Sequence, residues 1–374
     1  MAGCYVHIPF CKSRCYYCNF FSTIKTGEAD RLTEAIIKEM GLRRDYLPQQ
    51  RISTIYLGGG TPSVLPLRGL EKILVGVKEL YEVDDNAEIT IEVNPDDVTE
   101  ESSQAWKEMG FNRVSMGIQS WDDKVLKAIN RRHTSKQAEN AIERLKKTGF
   151  KNISVDLIYG LPYQDVKMWK QGVNKTLSFD LQHISSYGLS YESGTRLSQM
   201  LEEGRIKEQE DDIYNEMYDY LCDCLTNGGF EHYEVSNFSK PGFRSRHNSS
   251  YWNDTPYFGF GPGAHSYNYT SRQWNVEHLE EYITKIASGV VPHEKEVLTS
   301  QQKWEEYVML RMRTREGMDM NHAGEMFGES KKESCQKLAA PYLSQGLLQC
   351  CDYHLSATRK GLKILNRIIE DLIE

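Results

Sequence analysis

Three cysteines lie within eight positions near the start of the 374-residue chain, at Cys11, Cys15 and Cys18. They belong to the stretch YVHIPFCKSRCYYCNF, residues 5–20, and no Cys/His pair follows at zinc-finger spacing. A structural zinc site normally takes four protein ligands. A cubane iron–sulfur cluster held by three thiolates instead leaves one iron open to an external ligand. The spacing therefore predicts a 4Fe-4S cluster on these three cysteines, with a zinc knuckle or three incidental thiols as the alternatives.

A glycine-rich segment, GGGTPS at residues 58–63, follows the second apolar run of the chain. Glycine permits positive φ angles and close approach of the backbone, so such a loop can leave amide and carbonyl groups free for a ligand. Taken alone, the motif is equally well explained as a tight turn.

Six short runs of apolar and β-branched residues predict six strands. They cover residues 4–8, 53–57, 88–93, 113–117, 153–158 and 183–189. Amphipathic segments with helical spacing separate them, which is typical of βαβ units and a parallel sheet. Glycine and polar residues follow several strands, where such folds place their active sites. The predicted fold class is α/β, an incomplete (βα)6 TIM-like barrel.

The alternation of strand and helix ends near residue 207. A long helix and then a Gly-, Tyr- and Phe-rich region follow, and the tail predicts helices with a turn, a short strand and a final helix. We therefore predict a partial barrel over residues 1–207, a barrel extension over 208–294 that contains HNSSYW, and a small, mainly helical, winged-helix-like domain over 295–374.

The composition is that of a globular protein, with 39% hydrophobic and 26% charged residues. The sequence contains no run of about 18 apolar residues and no signal-peptide pattern, so we expect a cytoplasmic protein without a membrane span. The five cysteines of the C-terminal half are then ordinary reduced thiols: Cys222, Cys224, Cys335, Cys350 and Cys351. A net charge of -8, and a tail with equal numbers of basic and acidic residues, disfavour nucleic-acid binding.

The C-x3-C-x2-C spacing just after the first strand resembles the radical S-adenosylmethionine (SAM) superfamily. In that superfamily the methionyl amine and carboxylate of SAM bind the open iron, and a glycine motif receives the amine. Gly59, Gly60 and Thr61 match that motif. With YVHIPFC, GGGTPS, IEVNP, GIQS, INRRH and DLIYGLP in this order, the chain also resembles the oxygen-independent coproporphyrinogen III oxidase family over residues 4–290, and its tail fits that family's C-terminal domain.

This resemblance implies a set of residues around SAM: Tyr5, Gly59, Gly60, Thr61, Glu92, Gln119, Arg131 and Asp156. Tyr5 is expected near the cluster, and Arg131 is expected to pair with the methionyl carboxylate. Glu92 and Asp156 are expected to accept hydrogen bonds from the amino group or the ribose hydroxyls, and Gln119 to offer its amide to the ribose. Without the resemblance, each charged residue would more often be a strand-end salt bridge.

Two features separate the chain from the oxidase proper. Phe20 stands where the oxidase has a further cysteine, and the chain begins almost at its first strand. Both features match a sister group, the HemW-type heme chaperones, whose H-N-x-x-Y-W motif is present as HNSSYW at residues 247–252. The resemblance implies a chaperone that passes heme to an acceptor protein.

Two alternatives to the chaperone remain. One is radical oxidative decarboxylation of coproporphyrinogen III propionates, and the other is a barrel that has lost its cofactors and serves as an interaction module. The sequence does not decide whether SAM is cleaved or only bound, so whether the protein is an enzyme stays open.

Heme is expected to bind around residues 246–267, where imidazoles lie among aromatic side chains. His247 is the predicted iron ligand because the family motif includes it, and His265 is a second possible ligand. Five aromatic residues are expected to stack on or enclose the porphyrin: Tyr251, Trp252, Tyr257, Phe258 and Phe260. A packed loop with a structural His247 is the alternative. The expected partners are heme, a heme-acceptor protein and an electron donor for the cluster.

Overall fold

The computed structural model describes residues 1–47 and 51–373, and its main element is one large mixed sheet of 12 strands. Six parallel strands in chain order make its centre, and helices follow each of them, which confirms the predicted α/β class. The elements of this part are β1 (Ala2–Ile8), α1 (Ala29–Leu42), β2 (Ile52–Gly59), α2 (Leu67–Leu80), β3 (Val83–Val93), α3 (Glu100–Met109), β4 (Arg113–Gln119), α4 (Asp123–Ala128), α5 (Ser135–Lys147), β5 (Ile153–Tyr159), α6 (Val166–Ser178), β6 (His183–Gly188) and α7 (Arg196–Glu202).

The next region extends the sheet at both edges. Its elements are α8 (Asp211–Asn227), β7 (Glu231–Glu234), β8 (Asn237–Ser239), α9 (Arg246–Trp252), β9 (Tyr257–Phe260), β10 (His265–Tyr267), β11 (Ser271–Asn275), α10 (Leu279–Ala287) and β12 (His293–Val297). The full strand order is β12-β11-β10-β9-β1-β2-β3-β4-β5-β6-β8-β7. Strand β9 pairs parallel to β1, whereas β8 pairs antiparallel to β6. This one region therefore adds strands at both edges of the six-stranded centre.

The tail forms its own hydrophobic core around Trp304, Val308 and Ile368. Its elements are α11 (Ser300–Arg311), β13 (Met318–Asp319), α12 (Met320–Phe327), α13 (Glu329–Ser344), β14 (Leu348–Cys351), β15 (His354–Ala357), α14 (Arg359–Leu362) and α15 (Leu365–Ile373). The three strands form a small antiparallel sheet, in keeping with the winged-helix-like prediction. The domain boundaries themselves stay a prediction. In the described part of the chain, no helix is long and apolar enough to cross a membrane.

Alternation along the central strands sorts apolar from polar side chains. Val6, Ile55 and Ile91 belong to the core that the sheet shares with the surrounding helices. Their neighbours in sequence point into the barrel, since successive strand residues face opposite sides. Glu92, next to Ile91, is one of these inward residues, and Asp156, between the core residues Val155 and Leu157, is another; both line a cavity there. The helices therefore cover an apolar outer face, and the interior receives the polar groups.

A buried ionic network fastens the edge strands β9–β11 to helix α1. The Glu39 carboxylate is fully buried and accepts hydrogen bonds from Arg43 Nη1 at 3.1 Å and Asn275 Nδ2 at 2.7 Å. Its other oxygen accepts from the Gly261 amide at 2.9 Å and the Tyr282 hydroxyl at 2.5 Å. Four donors compensate the cost of burying this charge. The network fixes the position of the edge strands on the barrel.

Candidate functional site

A cavity of about 440 Å³ opens at the carboxyl ends of the barrel strands. It gathers most of the residues that the sequence predicted for the cluster and for SAM. Those that line it are Cys11, Cys15, Cys18, Gly59, Gly60, Thr61, Glu92, Gln119, Arg131 and Asp156. Tyr5 and His247 are absent from its lining.

Hydrogen bonds to neighbouring segments hold the cysteine loop in place. The Tyr16 amide donates to the Ile129 carbonyl at 3.1 Å, and the Tyr16 carbonyl accepts from the Leu197 amide at 2.9 Å. The Cys11 amide donates to the Thr23 carbonyl at 2.9 Å. Asn130 Nδ2 donates to the backbone of the same loop at 2.8 Å. These bonds position the thiols although the loop contains neither helix nor strand.

The three thiols are half-buried and face the same cavity. Cys11 Sγ lies 3.5 Å from Thr61 Oγ1, and Arg131 Nη1 donates to Cys15 Sγ at 3.4 Å. Burial raises the pKa of the Cys11 and Cys18 thiols. Within residues 1–47 and 51–373, no three Cys, His, Asp or Glu side chains converge to hold a single metal ion. A cubane takes one thiolate on each of three irons and leaves the fourth iron open, so three thiols that line one cavity are a donor set that fits a 4Fe-4S cluster.

The glycine loop packs directly on the backbone that leads to Cys11. Gly59 has a φ of 114°, and a Cβ there would lie 2.5 Å from the His7 ring. A Cβ at Gly60 would lie 2.7 Å from the Pro9 carbonyl oxygen. Glycine is therefore required at both positions for the close packing of the glycine loop on residues 7–10. It also leaves space in the cavity.

Two carboxyl groups face the cavity from adjacent parts of the barrel wall. Glu92 accepts from the Tyr56 hydroxyl at 2.7 Å and from the Gly59 amide at 3.1 Å, and burial raises its pKa to about 7. Asp156 accepts from the Ser115 hydroxyl at 3.3 Å, and burial also raises the pKa of Asp156. Both groups can accept hydrogen bonds from an amine or hydroxyl in the cavity.

Arg113 is a charged residue of this region that the motifs did not reveal. It begins β4 and is only 1% exposed, and none of its guanidinium nitrogens has a hydrogen-bond partner among the described residues. Its positive charge opposes the effect of burial on the pKa of Glu92 and of Asp156. The sequence signal that could have revealed Arg113 is a charged residue at the start of the apolar run RVSMG.

Arg131 lies between the cysteine loop and the end of β3. Its Nη2 atom donates to Asn94 Oδ1 at 2.6 Å and also to the Gly117 carbonyl. Asn94, in the IEVNP motif, is thus a positioning partner that the sequence did not single out. Gln119 has a φ of 66° at a register shift in β4 and lines the same cavity.

Tyr5 is outside the cavity lining and contacts His7. Its hydroxyl is 3.0 Å from His7 Nδ1, and His7 Nε2 is 2.9 Å from the Phe21 carbonyl oxygen, so the hydroxyl reaches the cysteine loop through His7. The expected proximity of Tyr5 to the cluster stays a prediction.

His247 lies inside the barrel, with 1% of its surface exposed. Its Nδ1 is 2.8 Å from Thr54 Oγ1 and its Nε2 is 2.9 Å from the Tyr251 hydroxyl. Burial lowers the pKa of His247 to about 3, and its ring stacks on Tyr56 at a centroid distance of 4.9 Å. Both ring nitrogens are thus engaged, and heme ligation by His247 would require one of these hydrogen bonds to break. Its role as iron ligand stays a prediction.

Residues 5–174 match the model of the radical SAM superfamily, and residues 298–364 match the HemN C-terminal domain. The heme chaperone HemW of Lactococcus lactis subsp. lactis (strain IL1403) is 35% identical, over 99% of this chain and 96% of that protein. The chain belongs to the HemW family of the radical SAM superfamily.

Two further proteins are similar over nearly the whole length of this chain. The heme chaperone HemW of Bacillus subtilis (strain 168) is 33% identical over 98% of both chains. The solved structure of coproporphyrinogen III oxidase (HemN) from Escherichia coli superposes with a TM-score of 0.86, over 99% of this chain and 89% of that chain, at 21% identity. At that identity the oxidase confirms the fold alone.

The aromatic residues near the HNSSYW motif of this HemW-family chain divide between two faces of the sheet. Tyr257 packs edge-on against Tyr251 at 4.8 Å, on the side of His247. Phe258 and Phe260 are fully buried and pack against Tyr81, within the core on the other face. These two phenylalanines therefore do not reach His247.

Proposed function

We propose that the protein is a heme chaperone, which binds heme and passes it to an acceptor protein on a scaffold that holds one 4Fe-4S cluster and SAM. The observation that carries the proposal is similarity from end to end to proteins named heme chaperone HemW. The cavity supports the part of the proposal that concerns the cluster and SAM, because three thiols, a glycine loop and two carboxyl groups meet there.

The residues of the cavity have separate roles in this proposal. Cys11, Cys15 and Cys18 hold the cluster, which when bound would supply one-electron chemistry beside SAM. Gly59, Gly60 and Thr61 receive the methionyl amine. Arg131 orients the methionyl carboxylate, and Glu92, Gln119 and Asp156 accept or donate hydrogen bonds at the amine and the ribose.

Oxidative decarboxylation of coproporphyrinogen III is the second candidate, and no specific observation favours it. The similarity to the oxidase concerns the fold. Phe20 stands at the position of the oxidase's further cysteine, is 65% exposed and lines the cavity. The identity of the acceptor and of the electron donor, and the cytoplasmic location, stay predictions.

The cluster assignment is tested by replacing Cys11, Cys15 and Cys18 with alanine, alone and together. After anaerobic reconstitution, the triple variant should contain no cubane chromophore, because the irons lose all their protein ligands. Cys350→Ala, at an exposed cysteine of the tail, is the matched control and should keep full iron and sulfide. A cubane spectrum at full intensity in the triple variant would refute the assignment.

The chaperone function is tested with hemin and a heme-free acceptor, apomyoglobin, under anaerobic conditions. The reconstituted protein should bind hemin with a defined Soret band and then transfer it to apomyoglobin. Porphyrinogen products are measured in parallel and should show no decarboxylation. Decarboxylated product without hemin binding would replace the chaperone with the oxidase.

A further inference from the structure

The chain has ten histidines, and the structure describes all of them. Five lie inside the fold or half-buried with a ring nitrogen in a hydrogen bond: His7, His133, His183, His232 and His247. Four others have a ring nitrogen engaged by a nearby group: His278, His293, His322 and His354. His265 is exposed, and neither of its ring nitrogens has a hydrogen-bond partner among the described residues.

The imidazole of His265 is oriented by a neighbouring strand. His265 begins β10 and pairs directly with Trp274 on β11, so both side chains lie on the same face of the hairpin. Their rings stack with a centroid distance of 5.8 Å and an interplanar angle of 24°. The tryptophan holds the imidazole without using either nitrogen.

The opposite face of this hairpin is anchored in the protein. Ser266 and Asn275 are buried there, and Ser266 Oγ accepts from Arg43 Nη2 at 2.8 Å. Asn275 donates to the buried Glu39 carboxylate. His265 is therefore presented on a fixed element rather than on a free loop.

The turn that precedes His265 packs against the segment that follows the cysteines. A Cβ at Gly263 would lie 3.5 Å from the Phe21 Cβ, and one at Gly261 would lie 2.5 Å from the His7 carbonyl oxygen. On this segment Phe20 is 65% exposed and Ile24 is 67% exposed. We call residues 20–24 the apolar segment. The turn that leads into His265 thus packs on His7 and Phe21, and Phe21 belongs to the same short segment as the exposed Phe20 and Ile24.

We propose that His265 is the iron ligand through which the protein holds heme, and that the porphyrin covers the apolar segment. The inference rests on the proposed chaperone function. A neutral imidazole is a common ligand of heme iron, and a porphyrin is a flat apolar ring that gains from covering exposed hydrophobic side chains. Trp274 is a positioning residue that fixes the imidazole plane. His247, with both nitrogens bonded, is a structural residue of the barrel interior.

The experiment is hemin titration of the full chain, followed by absorbance and electron paramagnetic resonance. His265→Ala should weaken hemin binding about tenfold or more and change the Soret band, because the iron loses its protein ligand. Added imidazole should restore the band in this variant. His278→Ala, an exposed histidine at the start of α10, is the matched control and should bind hemin like the parent protein. Trp274→Leu should alter the resonance of the bound iron more than the affinity.

The remaining outcomes separate this inference from the function on which it rests. A parent protein that binds no hemin overturns both. An unchanged titration in His265→Ala, with hemin bound by the parent protein, overturns the assignment of His265 alone. Loss of the band in His247→Gln but not in His265→Ala moves the ligand to His247. Circular dichroism of both variants distinguishes loss of a ligand from loss of the fold.

Discussion

At the scale of single residues, the cavity combines burial with acidic groups. Glu92 receives two hydrogen bonds, yet burial still raises its pKa to about 7. The folded protein therefore binds the Glu92 proton more tightly than the unfolded chain does. A group of this kind stabilises the fold below its unfolded pKa, and that contribution is lost as the pH rises toward the folded value.

The free energy of unfolding of the cofactor-free protein should decrease between about pH 4.5 and pH 7, because Glu92 ionises first in the unfolded chain. Glu92→Gln should remove this part of the pH dependence and stabilise the protein above pH 7. Urea unfolding at pH 5 and pH 8 measures both effects. Glu79→Gln, exposed on α2, is the control, and an equal pH dependence in the two variants would contradict the prediction.

Sequence motifs indicated where the polar residues of the cavity lie, but gave no indication of the buried contacts around them. Glu92 and Asp156 occur in recognisable motifs at strand ends, and the carboxyl ends of parallel strands meet at one edge of the sheet. Arg113 lies at the opposite end of its strand, so only the three-dimensional structure shows that it lies near both carboxyls. The engagement of both His247 nitrogens likewise depends on residues distant in the chain.

At the scale of elements, the six barrel strands were predicted because each is a buried apolar run between amphipathic helices. The edge strands were not predicted. Strands β8 and β10 have only 3 residues each, and β12 is exposed throughout. Such strands owe their form to pairing with a neighbour rather than to their own sequence. The sequence therefore showed the barrel but not the hairpin that carries His265.

The glycine loop gives a prediction at this scale. A Cβ at Gly60 would lie 2.7 Å from the Pro9 oxygen and 2.8 Å from the Phe10 oxygen, so Gly60→Ala should push the cysteine loop out of place. We expect lower iron content after reconstitution together with weaker SAM binding, and destabilisation of about 1–3 kcal/mol from overpacking. At Gly41 on α1 a Cβ would meet no atom within 4 Å, so Gly41→Ala should change neither the iron content nor the affinity for SAM. Full iron content and unchanged SAM affinity in Gly60→Ala would show that the loops can separate without consequence.

At the scale of the whole molecule, hydrogen bonds and ion pairs between residues far apart in sequence hold the outlying parts to the barrel. The tail joins through backbone hydrogen bonds, from Val235 to Arg313 at 2.9 Å and from Arg315 to Tyr233 at 3.0 Å. The edge strands β9–β11 join through the buried Glu39 network. Composition and periodicity predict that a tail and an extension exist, but neither indicates these attachments, because their partners are far apart in sequence.

The Glu39 network connects global stability with the proposed heme site. Glu39→Ala removes the only carboxylate that pairs with the buried Arg43 guanidinium among the described residues, and it leaves the donors of Asn275 and Tyr282 without that acceptor. Breaking a buried ion pair in this way costs about 3–5 kcal/mol, so urea unfolding should show a loss of that size. The matched control is Glu34→Ala, which breaks the exposed pair with Lys72 on the same helix and should cost about 1 kcal/mol or less.

The loss of stability in Glu39→Ala should be largest in the edge strands β9–β11. Because the network holds β9–β11, hydrogen exchange over residues 257–275 should accelerate more than over β2, whose strand neighbours are unchanged. Hemin affinity should fall in parallel, since His265 lies on the loosened hairpin although Glu39 is on the other side of it. A destabilisation no larger than that of Glu34→Ala, with uniform exchange, would mean that the edge strands are held by their sheet pairing alone and that the buried charges contribute nothing to the position of His265.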